Sequence, residues 1–157
     1  MAVANFVSCS TVSGTGVTGI SVDAKGRILM AVAWCGRPPD GVLISPNGDE
    51  SKFGEITLLA PDLTGSMAMV DIRNPGDGWK LRSGSAELKP GIEYRAFAWR
   101  EKTRGQYGAV VFRAEVAGKL KVNTVLTQAY DIKSGTSRDV LESPEQFEAS
   151  NRAGCQS

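Results

Sequence analysis

A chain of 157 residues is long enough for one domain that buries about two-thirds of its unfolded surface. Its 41% apolar and 22% charged residues are those of a globular protein, and a net charge of +1 gives no global attraction to nucleic acid or anionic membrane. Histidine is absent, which removes Ser/His/Asp and Cys/His triads, imidazole zinc sites and the usual physiological pH switch.

Residues 1–16 are expected to be a flexible lead-in or tether, and residues 17–157 a single domain. The first nine residues lack the basic region and the long apolar run of a secretory signal. They read either as the tail of a shortened signal or as an ordinary first strand. The Gly/Ser/Thr composition of residues 10–16 suits a tether. Residues 17–23 predict a strand with Val17, Ile20 and Val22 as core positions. Ala24, Lys25 and Gly26 form a tight-turn composition that joins it in a hairpin to the next strand.

That next strand is the most informative stretch. Residues 28–35 carry no charge, are too few to span a bilayer, and end at a Gly-Arg-Pro-Pro-Asp-Gly break. Alternation places Leu29, Ala31, Ala33 and Cys35 on one face and Ile28, Met30, Val32 and Trp34 on the other. Both faces are apolar, so the strand is expected in the middle of a sheet, covered on both sides.

Further strands are predicted over residues 42–45, 55–60 and 66–73, the last carrying Met67, Met69 and Ile72, with the two methionines in the core. Residues 79–88 predict one short edge strand after a strong Asn-Pro-Gly-Asp-Gly turn. Residues 92–100 form a clear strand, with Ile92, Tyr94, Ala96 and Ala98 on one face. Residues 109–116 are expected to pair with it, and residues 122–129 supply one more strand. Ser143-Pro144-Glu145-Gln146 is a capping box with proline at the first helical position, so a short helix over about residues 144–153 is expected, anchored by Phe147 and stopped by Gly154.

Short strands spaced by turn signals imply an all-β sandwich or barrel. Residues 88–94, Leu-Lys-Pro-Gly-Ile-Glu-Tyr, resemble the turn that opens strand F in fibronectin type III domains. The resemblance implies an immunoglobulin-like antiparallel sandwich with Tyr94 as its tyrosine corner, its hydroxyl bonded to upstream backbone. Trp34 falls later than that family's core tryptophan, and the terminal helix is an addition.

Three cysteines, Cys9, Cys35 and Cys155, fit no metal motif. A Cys35–Cys155 bridge would dock the terminal helix on the sandwich and close a loop of about 120 residues, for roughly 4–5 kcal/mol by chain-entropy reasoning. A pairing that uses Cys9, or no bridge at all with Cys35 a small buried apolar residue, are the alternatives. A bridge implies an oxidising compartment.

Phe6-Val7-Ser8-Cys9 resembles a bacterial lipobox, although Phe6 stands where leucine is usual and the preceding apolar run is missing. The Val-Ala-Trp-Cys-Gly strand end (residues 32–36) and the Ser-Pro-Glu-Gln-Phe helix with its late cysteine resemble small actinobacterial cell-envelope lipoproteins. That resemblance implies lipidation at Cys9, with membrane contact only through such an anchor, and an extracytoplasmic location. The plain alternative for Cys9 is a free thiol in an ordinary N-terminus.

The resemblance to fibronectin type III domains implies that the loop between the strands at 92–100 and 109–116, their F–G loop, shares one end of the sandwich with residues 36–40. It would gather Arg37, Arg100, Lys102 and Arg104 there, with Tyr107 as an aromatic anchor. Loops on a rigid sandwich often bind partners, and Arg and Tyr are favoured contact residues. The same loop also reads as a solvated hairpin tip. Asp49-Glu50 and Asp62 sit in turn contexts and give neither a calcium loop nor a catalytic dyad.

The expectation is a non-catalytic, extracytoplasmic interaction domain with a protein partner, no nucleic acid and no cofactor. The alternative is an immunoglobulin-like virion structural or capsid decoration protein, made in the cytoplasm with free thiols. An enzyme would have to rely on Tyr, Lys, Arg or carboxylates as acid–base groups.

Overall fold

The computed structural model describes residues 15–48, 55–85, 87–101 and 107–155. Among these lie ten strands and one α-helix. The chain runs through β1 (Gly16–Val22), β2 (Ile28–Trp34), β3 (Gly41–Pro46), β4 (Ile56–Leu59) and β5 (Met67–Asp71). It continues through β6 (Lys80–Ser83), β7 (Glu93–Trp99), β8 (Val110–Arg113), β9 (Val125–Asp131) and β10 (Thr136–Glu142), and ends in α1 (Pro144–Gly154).

Two five-stranded sheets pack face to face. One has the order β10-β9-β1-β2-β5 and the other β6-β4-β3-β7-β8, with antiparallel neighbours. The pairings β1–β2, β2–β5, β3–β4, β3–β7 and β7–β8 reproduce those of an immunoglobulin-like sandwich. β6 and the β9–β10 hairpin extend it.

β2 shows why its sequence is apolar throughout. Met30, Val32 and Trp34 face the inter-sheet core with Val42, Ile44, Leu58, Ala96 and Ala98. Ala31 and Ala33 face outward, where Val125 and the ring of Phe147 cover them. The strand is therefore buried on both sides, but β1 occupies the middle of the sheet. The β9–β10 hairpin adds two strands beyond β1 while β5 adds one beyond β2.

The first hairpin closes through Asp23, whose Oδ1 accepts from the Lys25 and Arg27 amides at 2.9 Å each, with Gly26 at φ 76°. Such a φ suits glycine, which has no Cβ to clash. At the other end of the sandwich the sheets touch directly. Thr18 is fully buried, and its Oγ1 accepts from the Ala98 amide at 3.1 Å, where β8 has not yet begun. Next to it the Thr18 amide donates to Gly108 O and the Gly108 amide to Gly16 O, both at 3.0 Å.

The helix starts where its capping box requires. Ser143 Oγ accepts from the Gln146 amide at 3.1 Å, and Gln146 Oε1 accepts from the Ser143 amide at 2.9 Å. Phe147 is 1% exposed. Glu148 accepts from Ser66 beside β5, and Ser150 donates to Glu142 of β10 at 2.7 Å, so the helix is tied to both edges of the sheet it covers.

Some expectations change. β8 stops at Arg113 and gives way to a 3-10 turn over Ala114–Gly118, inside the stretch read as strand to residue 116. β9 starts at Val125 rather than 122, and β10 was not foreseen. Val17 lies on the opposite face from Ile20 and Val22, with Met67 and Met69; all three are partly buried on the helix side, outside the inter-sheet core.

Candidate functional site

The loop end of the sandwich does gather part of the expected set. Arg37, Asp40, Arg100 and Tyr107 are near enough that all three charged groups act on the Tyr107 phenol. Their roles differ from one another. Asp40 ties the end together: its amide donates to Trp99 O at 2.8 Å, its carbonyl accepts from the Ala60 amide at 2.9 Å, and its carboxylate accepts from the Glu101 amide at 2.7 Å.

Tyr107 is 3% exposed, so it anchors the loop into the core instead of presenting a ring to a partner. Gly16 makes room for it; a Cβ there would stand 2.6 Å from the ring carbon Cε2. The Arg100 guanidinium lies 5.8 Å from the ring centroid. Burial pushes the phenol up to about 12, against the opposing pull of Arg100. Of this set Arg37 remains exposed at the surface, while Lys102, Arg104 and Cys9 lie outside the described residues.

The other expected positions are structural. Cys35 and Cys155 form a disulfide with Cα atoms 5.6 Å apart, pinning the end of α1 to the end of β2. Tyr94 opens β7 with its hydroxyl accepting from the Lys89 amide at 2.8 Å, and Gly91 takes φ 77° in the turn between them. That is the corner geometry the heptapeptide implied. Among the described residues no three His, Cys, Asp or Glu side chains are grouped to hold a metal, and no helix is long and apolar enough to cross a membrane.

A different surface stands out, and strand alternation builds it. Phe97 and Trp99 of β7 point away from the core, as do Leu43 of β3 and Thr57 of β4. Leu43 lies directly opposite Phe97 on one side and Thr57 on the other. Arg82 and Ser83 of β6 and Glu101 after β7 complete an open groove of about 420 Å³. The Arg95 guanidinium lies 5.0 Å from the Phe97 ring centroid, within cation–π range.

Gly41 seats the tryptophan. It pairs opposite Trp99, and a Cβ there would stand 2.6 Å from indole Cζ2 and 2.8 Å from Cε2. Its φ is not in the left-handed region, so close approach rather than backbone conformation accounts for glycine within this strand.

The two outer faces are thus treated differently. That of the first sheet lies under α1, which packs on β2 and β10. Over that of the second sheet, among the described residues, no helix or further sheet lies. The signal is present in the sequence, where Phe97 and Trp99 alternate with Ala96 and Ala98 and so fall on the face opposite the inner set. Compared with protein-family models, curated proteins and solved structures, the chain matches none.

Proposed function

We propose that the protein is a non-catalytic binding domain of the extracytoplasmic envelope, held there by a lipid on Cys9, and that it engages its partner through the outer face of β6-β4-β3-β7-β8. The observation that carries this reading is the unequal covering of the sandwich. One outer face is closed by a helix with its own cap and disulfide. The other presents Leu43, Phe97 and Trp99 at half-buried positions with charged residues around them. Apolar groups on an open face with a polar rim are the usual composition of a recognition surface.

Supporting the location is the Cys35–Cys155 bridge, since such bonds persist in oxidising compartments. Supporting a non-catalytic role is the absence of histidine from the whole chain. The perturbed phenol of Tyr107 is buried, with its ring against Gly16, where a substrate has no access.

The test has two arms. Peptide mass spectrometry on native protein, alkylated without reduction, should find Cys35 joined to Cys155 and a lipid on Cys9; three alkylated thiols would overturn the location. Sedimentation of the purified chain carrying Cys9→Ser, and so without the lipid, with isolated cell envelopes should show retention of the chain with the native face and release of its Phe97→Ala/Trp99→Ala variant of unchanged melting temperature. Equal retention of both would remove the face from the proposal.

A further inference from the structure

We infer that the Trp99 groove takes an extended, gluco-configured oligosaccharide of the cellulose or chitin type. The inference rests on the binding face proposed above and adds the chemical class of its occupant.

The first argument is the platform. Gly41 leaves the space that Trp99 fills, since a Cβ there would meet indole Cζ2 and Cε2, and the indole lines the groove. Phe97 follows two residues earlier on the same face, beside Leu43. Flat pyranoses with equatorial substituents carry axial C–H groups on both faces, and these bear partial positive charge. They stack on the negative face of an aromatic ring, as its quadrupole favours. A glycine within a strand costs roughly 0.5–1 kcal/mol relative to alanine; here it makes room both for the Leu58 carbonyl, which a Cβ would approach to 2.5 Å, and for the indole.

The second argument is the rim. The groove is lined by one guanidinium (Arg82), one carboxylate (Glu101) and two hydroxyls (Thr57 and Ser83), with the Arg95 guanidinium against the Phe97 ring beside it. Donors and acceptors are both present, and the cations stand with a carboxylate among them. That pattern suits a neutral polyhydroxylated chain, whose hydroxyl groups each donate and accept. It is poorly matched to a phosphate or an acidic peptide, which would call for cations alone.

Size is the third argument. Two rings and one leucine make a small apolar patch beside the roughly 800 Å² per partner that a stable protein interface requires. An open groove of about 420 Å³ with a few convergent polar groups is of small-ligand size.

The experiment uses cellohexaose and chitohexaose as probes and nitrogen–proton correlation spectra of the full chain as readout. Trp34 and Trp79 are core residues at 3% and 7% exposure, so the Trp99 indole is the reporter. The expected result is a saturable shift of that indole signal with one of the two sugars, at a dissociation constant below about 1 mM. Backbone shifts should be confined to β3, β4, β6 and β7.

Trp99→Ala should weaken binding at least about tenfold, and Arg82→Ala and Glu101→Gln each about fivefold, a loss of the size of one hydrogen bond. The shift map of the wild-type chain tests the site even if the tryptophan variant fails to fold. Absence of a saturable shift with both sugars, or shifts located elsewhere, overturns the inference. If the sugars fail while Phe97→Ala/Trp99→Ala still releases the chain from envelopes, the binding face stands and only the saccharide assignment falls.

Discussion

The side-chain amide of Gln128 in β9 closes the free edge of β8 as a neighbouring strand would. Its Oε1 accepts from the Val111 amide at 2.8 Å, and its Nε2 donates to the Val111 carbonyl at 3.0 Å. The same Nε2 donates to Asp139 of β10 at 3.1 Å. One side chain therefore links the edges of the two sheets and satisfies an edge that could otherwise pair with another chain.

Gln128→Ala should cost about 1–3 kcal/mol in urea unfolding, because a part-buried amide and carbonyl lose their partners together. Gln128→Glu should be worse at neutral pH, since a carboxylate would face the Val111 carbonyl and Asp139. That repulsion raises the new group's folded pKa, so the deficit should shrink as pH falls and the carboxyl protonates. A deficit independent of pH would show that Gln128 does not act through these bonds.

The helix is held in two independent ways, and each should be measurable. Cys35→Ser/Cys155→Ser opens a loop with a sequence separation of 120. It should lower stability by about 4–5 kcal/mol in the chain-entropy limit, or less if the unfolded chain retains structure. Phe147→Ala removes the ring that covers Ala31, Ala33 and Val125, and should cost about 3–5 kcal/mol. Hydrogen exchange in the Phe147→Ala variant should rise first along α1. Uniform exchange across the chain would mean that the helix does not open separately.

Tyr107 supplies a pH prediction. Burial raises its folded pKa to about 12 from an ordinary value of 10.0. In alkali the unfolded chain loses this proton first, so the stability it contributes is fully present below about pH 10. That stability falls as pH rises toward about 12. The wild type should therefore lose about 2–3 kcal/mol of unfolding free energy relative to Tyr107→Phe across that interval. A constant difference would place the phenol in contact with solvent.

The fold was legible where burial is two-sided or the turn chemistry strict. β2 could be placed because both of its faces had to be apolar, and α1 because Ser143, Pro144 and Gln146 cap a helix and little else. β10 was missed for the opposite reason. Its residues are mostly exposed, and Arg138, Asp139 and Glu142 give no apolar alternation to read. It is a strand because β9 pairs with it, from Thr136 opposite Asp131 to Glu142 opposite Val125.

The candidate site divides in the same way. The resemblance carried by residues 88–94 placed Arg37, Arg100 and Tyr107 on loops at one end, but no local pattern could tell that Gly16 opens a space for the Tyr107 ring. Nor could it tell that Gly41 and Trp99, far apart in the chain, lie opposite each other on neighbouring strands.

By itself the sequence determined which residues alternate, where the chain turns and where the helix begins, because these depend on neighbours within a few positions. It also determined, through the absence of histidine, that no imidazole of this chain can serve as a base or a metal ligand. The tertiary structure alone decided which apolar face is covered and which left open. That choice depends on α1 docking on β2, on the Cys35–Cys155 bond and on the order of strands in each sheet. These contacts join residues far apart in the chain, and local pattern carries no record of them.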